Sequence, residues 1–159
     1  MTTMTYRLFD LTFLLAVPFW ALMIFAPGWT LTRRIMASPW SATAPLAVYV
    51  VLAASEFGTL WTVVSRPNLD TLRAFLGTPT GAAVIWAHLI AFDLFIGKWI
   101  HRDARERGGP HLVVAPLLVL TILLSPLGLL SYLLVRVFKP APSGPRLHDR
   151  ELQQRHAAP

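Results

Sequence analysis

The chain has 159 residues, 55% of them hydrophobic and 14% charged, with a formal charge of +6 and a mean hydropathy of +0.55. A soluble domain of this size cannot cover so much apolar surface, so the composition assigns the chain to the membrane class, with room for one domain. No cysteine is present, which excludes disulfides, thiolate chemistry and sulfur-ligated metal or iron–sulfur sites.

The positive charge gathers in loops and in the C-terminal stretch. In a membrane protein it serves lipid-surface contact and topology, and no nucleic-acid partner is expected. The first apolar run begins near Leu8 and is long enough to span; it has no A-x-A-like exit, so no cleavable signal is expected.

Segment one covers residues 8–27, and its ~20 residues match a ~30 Å hydrocarbon layer. Asp10 stands at its mouth, where a helix N-terminal carboxylate is favoured by the macrodipole and a catalytic role is equally open. Pro18 is expected to bend it. Residues 28–43 interleave Trp29 and Trp40 with Arg33 and Arg34, the pattern of a short segment lying on the headgroups.

Segment two covers residues 45–65 and carries Glu56 in an otherwise apolar run, on one face with Tyr49, Leu52, Leu60 and Val63. Glu56 reads either as a protonated, hydrogen-bonded packing residue or as a functional one. Residues 66–79 form a loop with one amphipathic turn started by Asn68.

Segment three covers residues 80–100 and is the densest in chemistry: His88, Asp93 and Lys98 all lie in it. An ionisable group at bilayer depth costs a few kcal/mol even on lenient scales, and so marks a functional candidate. On a helical wheel His88 groups with Phe92, Phe95 and Trp99, while Asp93 lies about 140° away, so the two contact different neighbours. Residues 101–110 read as a solvated, charged loop.

Segment four covers residues 112–138, long enough to tilt or kink at Pro126. Thr121, Ser125, Gly128 and Tyr132 fall on one stripe. They either let helices approach closely or line a polar pocket. From Lys139 the chain is basic and poor in apolar residues, which predicts a disordered tail over 139–159.

The expected fold is therefore all-α, an integral membrane four-helix transmembrane bundle over residues 1–138. Counting residues inward at ~1.5 Å each places Glu56 and His88 both roughly 12 Å deep, in the half that also holds Asp10 and Tyr132. Asp93 and Lys98 fall in the other half. A carboxyl and an imidazole at one level can act as acid and base. They could also ligate a metal, but no H-x-x-E-H, H-E-x-x-H or multiple-histidine pattern occurs, and none is expected. Both sets of loops carry similar Lys and Arg counts, which leaves orientation open.

The stretches LFD at 8–10, VPFWALMIFAP at 17–27, TRRIMAS at 32–38, HLIAFDLFIGKWIHRDA at 88–104 and SPLGLLSYLLVR at 125–136 resemble the ABA4-like family. These are small four-span proteins named after a plant protein linked to neoxanthin synthesis. The resemblance covers the hydrophobic body, not the basic tail, and lacks a plastid-targeting extension. It implies a carotenoid substrate and isomerisation of violaxanthin to neoxanthin, an epoxide opened to an allene and a tertiary alcohol with no redox cofactor. On that view Glu56 or Asp93 is the acid and His88 the base or orienting group. The substrate is walled by Trp20, Trp61, Phe92 and Phe95, with Asp10, Lys98, Ser125 and Tyr132 as further contacts.

Two alternatives come from other classes. A non-enzymatic partner would hold a carotenoid or assist another enzyme, with its polar residues as packing glue. A small transporter or proton path would use Asp93 and Lys98 as a relay, but four short spans without paired broken helices argue against it. The expected setting is a multi-pass protein of a bacterial inner membrane, with a lipid-soluble small molecule and the bilayer as partners.

Overall fold

The computed structural model describes residues 2–138, nearly all of them helical. Two helices are long and apolar enough to cross a membrane: α1 (Thr2–Phe25) and α6 (Pro79–Glu106). They form the centre of the bundle and run parallel. Phe9 stacks on Trp86 with ring centroids 5.2 Å apart. Eleven residues further along both helices Trp20 lies against Gly97, where any β-carbon would collide with the indole. The glycine is what lets the two helices approach here. Helix α6 begins sharply, with Pro79 in its first turn and the Thr78 hydroxyl accepting from the Gly81 N–H at 3.0 Å.

At the far end of α1 the chain forms α2 (Thr30–Ala37), which buries Thr32 and Met36 and exposes Arg33 and Arg34. The Thr32 hydroxyl donates to the Ala26 carbonyl at 2.8 Å. This bond folds α2 back under the bundle. A 3-10 turn, Pro39–Ala42, leads into α3 (Thr43–Ser55). Helix α3 returns through the bundle and packs its buried Val48 and Leu52 with Ala83, Val84 and Ala87 of α6.

The second apolar segment does not continue straight. It breaks at Glu56, whose backbone leaves the helical region (φ −120°, ψ 21°), and α4 (Phe57–Ser65) sets off at 91° to α3. After α4 comes α5 (Leu69–Leu76), capped by the Asn68 side chain accepting from the Asp70 N–H at 2.9 Å, as the sequence predicts.

The fourth segment is broken too. Helix α7 (His111–Leu123) ends at Leu124 (φ −147°, ψ 73°), and α8 (Ser125–Phe138) begins at once. The cause is Pro126, which has no N–H for the Ile122 carbonyl and whose ring would clash with it. Helix α8 turns back along α7. A β-carbon on Gly128 would come within 2.6 Å of the Thr121 backbone, and Tyr132, Val135 and Arg136 share a cavity with Gly109, Pro110 and Val113. Thr121, Ser125, Gly128 and Tyr132 thus do mediate close approach, but between two halves of one segment.

The all-α membrane-helix bundle expected from the sequence is what the chain forms. Its crossings are counted more coarsely: two helices cross by length and composition, or three if the bent α3–α4 pair is one span. The fourth segment is a hairpin of two shorter apolar helices. The tail expected at 139–159 lies outside the described residues.

Since Gly97 and Gly128 are contact points with no room for a side chain, Gly97→Leu and Gly128→Val should each lower stability by about 1–3 kcal/mol, the usual cost of overpacking. Thermal unfolding of the detergent-solubilised protein checks this; an unchanged midpoint in both would contradict the packing described.

Candidate functional site

Helix α6 presents one aromatic face. His88 stacks on Phe92 at 5.4 Å, Phe92 meets Phe95 at 6.4 Å, and Trp99 closes the row against Tyr132 of α8 at 5.6 Å. Their spacing of four, three and four residues keeps them on one stripe, about 16 Å long at ~1.5 Å per residue. Tyr49 of α3 contacts His88 edge-on at 5.4 Å. α3 borders the stripe at its His88 end and α8 at its Trp99 end, and the surface between these two contacts is a shallow trough.

The trough is open where the hairpin stops. The tip of the α7–α8 turn reaches only to the level of Asp93, which faces Ser125. Beyond the tip, among the described residues, no helix covers this side of α6, and Ile85, Leu89 and Phe92 are 40, 47 and 56% exposed. In a bilayer these residues meet lipid. Half-buried Asp93 is therefore at the edge of an opening, with the buried Ser125 hydroxyl beside it. That hydroxyl completes no hydrogen bond of good geometry. His88 is within electrostatic reach of Asp93, and no ion pair or hydrogen bond joins them.

The other end of the trough is polar and fixed. Asp103 accepts hydrogen bonds from Arg107 at 2.8 Å, from Arg136 at 2.9 and 3.4 Å, and from the Tyr132 hydroxyl. The Arg136 guanidinium also lies over Trp99, 5.7 Å from the ring centre. Lys98 is buried and donates to the Ser38 carbonyl at 2.9 Å, tying the chain after α2 to α6. Between these groups lies a cavity of about 400 Å³, with Met36 and Pro39 on one wall and Phe95, Lys98, Trp99 and Asp103 on the other.

The sequence-predicted residues divide accordingly. His88, Phe92, Phe95, Asp93, Ser125, Lys98 and Tyr132 all lie on or beside this trough. Trp20 is buried against Gly97 on another side of α6 and works in packing. Trp61 is exposed on α4, stacked on Phe57, and Asp10 is exposed on α1. Neither reaches the trough.

Glu56 does not share the level of His88. Tyr49 already meets His88, and seven further residues of α3 carry the chain about 10 Å beyond it before Glu56. The depth expected for Glu56 assumed an unbroken helix through residue 65. Tyr132 likewise sits at the opposite end of α6 from the one expected, because α8 runs back.

A family model described as ABA DEFICIENT 4-like matches residues 7–132. The chain belongs to the ABA4-like family. The protein ABA DEFICIENT 4, chloroplastic, of Arabidopsis thaliana is 25% identical over 126 residues, covering 76% of this chain and 56% of that protein. The chain thus spans little more than half the length of this curated relative. Its name places the relative in the chloroplast and gives no support to a bacterial inner membrane here. No solved structure matches. Within this ABA4-like chain the matched region holds most of α1, all of α2 to α7, the hairpin tip and Tyr132, and so contains Asp93, Ser125 and Asp103; Arg136 falls just outside it.

Asp103, Arg107 and Arg136 were not singled out in the sequence. The charge around Asp103 suggests a solvated loop, but α6 continues to Glu106. The available signal was Arg107 four residues after Asp103, the spacing of a helical ion pair.

Replacing Asp103 by Ala removes the shared acceptor of three donors, and should lower stability by roughly 1–3 kcal/mol. Arg136→Lys should lower it as well, since an ammonium cannot reproduce the two-point contact and the stacking on Trp99. Unfolding midpoints of the two variants in detergent test this, and a wild-type midpoint for Asp103→Ala would show that the cluster holds nothing in place.

Proposed function

We propose that this chain is a membrane-embedded isomerase of a lipid-soluble isoprenoid, a carotenoid carrying an epoxide or cyclic end group, acting by acid–base chemistry without a redox cofactor. One observation carries the reading. The α7–α8 hairpin stops part-way along α6, so Asp93, Ser125 and His88 border an opening that a molecule dissolved in the bilayer enters sideways. Ionisable groups in such a position are costly and rarely serve packing alone.

The chemistry follows from the groups. A carboxylic acid donates its proton to the epoxide oxygen as the carbon–oxygen bond opens to a tertiary alcohol. A base takes the carbon-bound proton whose electron pair completes the allene, so atoms and charge balance. Asp93 is the proton donor in this reading and His88 the base or its orienting partner. Phe92, Phe95 and Trp99 hold the polyene along the trough, and Lys98 and Tyr132 stand where its far end arrives. Glu56, about 10 Å further along the bundle, takes a secondary part at most.

The exposure of the stripe favours a second reading. Phe92 and Phe95 are 56 and 60% exposed, which suits a surface that holds a carotenoid for another enzyme as well as one that converts it. In both readings the chain is an integral membrane protein acting on a carotenoid-like partner.

Purified protein given an epoxy-carotenoid, with no other protein added, should form product. His88→Ala and Asp93→Asn should lower product per mole of folded protein by ~10²–10⁴, the usual contribution of a positioned acid or base, and Glu56→Gln by much less. Binding without turnover, unchanged by these substitutions, would decide for the carrier.

A further inference from the structure

Beside the trough, on the polar end of the bundle, lies a second cleft between α2 and the last turns of α6. It has a volume of about 130 Å³ and is lined by Arg33, His101, Arg102, Arg105 and Glu106. A single water needs only about 10–15 Å³ of such space, so the cleft has room for a phosphate group. Three guanidiniums face the single carboxylate of Glu106, and among the described residues none of Arg33, Arg102 and Arg105 is in an ion pair. Arg33 makes one long bond to the Thr30 hydroxyl, and Arg105 donates to the Pro27 carbonyl. Both keep further donors free.

His101 adds an independent sign. It is 2% exposed, it lies between this cleft and a neighbouring one beside His111, lining both, and its Nε2 has no hydrogen-bond partner. A buried ring nitrogen without a partner is a costly arrangement that a bound polar group would relieve.

We propose that this cleft binds the phosphate headgroup of an anionic phospholipid, one of whose acyl chains descends over Phe95 and Trp99. The level is that of the membrane surface: Trp29 and Trp40, either side of α2, are 59 and 75% exposed, as interfacial aromatics are. The cleft also runs into the 400 Å³ cavity, sharing Met36, Ala37, Arg102 and Glu106 with it. A free phosphate would use the guanidiniums but leave the aromatic extension unfilled. The headgroup contacts involve neither Asp93 nor His88, whereas lipid and polyene are alternative occupants of Phe95 and Trp99, so lipid retention is read in the absence of carotenoid.

The test is retention of lipid by the full chain in detergent, read by native mass spectrometry. The probes are dioleoyl phosphatidylglycerol and dioleoyl phosphatidylcholine in equal amounts. The wild type should retain the phosphatidylglycerol in preference. Each arginine at an anionic surface contributes a factor of about five, so Arg33→Gln/Arg102→Gln should cut that preference roughly 25-fold. Arg33→Lys/Arg102→Lys should keep much of it, and Arg66→Gln/Arg73→Gln, at the other end of the bundle, should leave it unchanged. Equal retention of the two lipids would overturn the proposal. So would equal losses in the two glutamine pairs, which would mean diffuse surface charge. Displacement of phosphatidylglycerol by millimolar inorganic phosphate would show a free-anion site and overturn the lipid assignment.

Discussion

The hydrogen bonds that converge on Asp103 govern where the last third of the apolar chain goes. Arg107 binds it from the same helix, while Tyr132 and Arg136 bind it from α8. A carboxylate mostly withdrawn from water needs such partners. The donors it recruits come from the end of α8, so that end is brought to the end of α6. Pro126 breaks the segment, but a proline alone only bends a helix. The full reversal is set by the long-range bonds at its foot and by Gly128 against Thr121 at its head.

The reversal creates the trough. Had the fourth segment crossed straight, it would have covered α6 along its whole length and closed the face that His88 and Phe92 now present. A hairpin instead packs against α6 only between Asp93 and Asp103, and leaves Phe95 and the other half exposed. Its tip puts the Ser125 hydroxyl beside Asp93, and its foot puts Tyr132 against Trp99. Polar groups at depth, an aromatic floor and a cationic end on the membrane surface are thus arranged along a single helix. The parallel α1, locked through Trp20 at Gly97, supports that helix from behind.

The sequence made α1 and α6 legible because their apolar runs are long and unbroken. It also revealed the aromatic stripe, since spacings of four, three and four residues allow one face only. Glu56 misled the depth count. S-E-F-G interrupts the apolar run for only a few residues before it resumes, so Gly58 is the sole local sign of the 91° break after Ser55. Pro126 announced a bend but not its size, because the size is fixed by Asp103, more than twenty residues earlier. Asp103 itself was hidden by its setting: H-R-D-A-R-E-R looks like solvated loop, yet Ala, Arg and Glu are good helix formers and carry α6 on to Glu106. The family resemblance rested on stretches that survive these corrections, and the family model matches the same region.

The sidedness of the chain tests the hairpin most directly, and the absence of cysteine makes the measurement clean. Met4, Glu106 and Val137 are all exposed, and each can be replaced singly by cysteine and labelled in sealed vesicles with a membrane-impermeant maleimide. The account predicts that Glu106→Cys and Val137→Cys react from one side and Met4→Cys from the other. Reaction of Met4→Cys and Val137→Cys from the same side, with Glu106→Cys opposite, would mean that residues 112–138 cross the membrane once, and would contradict the trough built on their return.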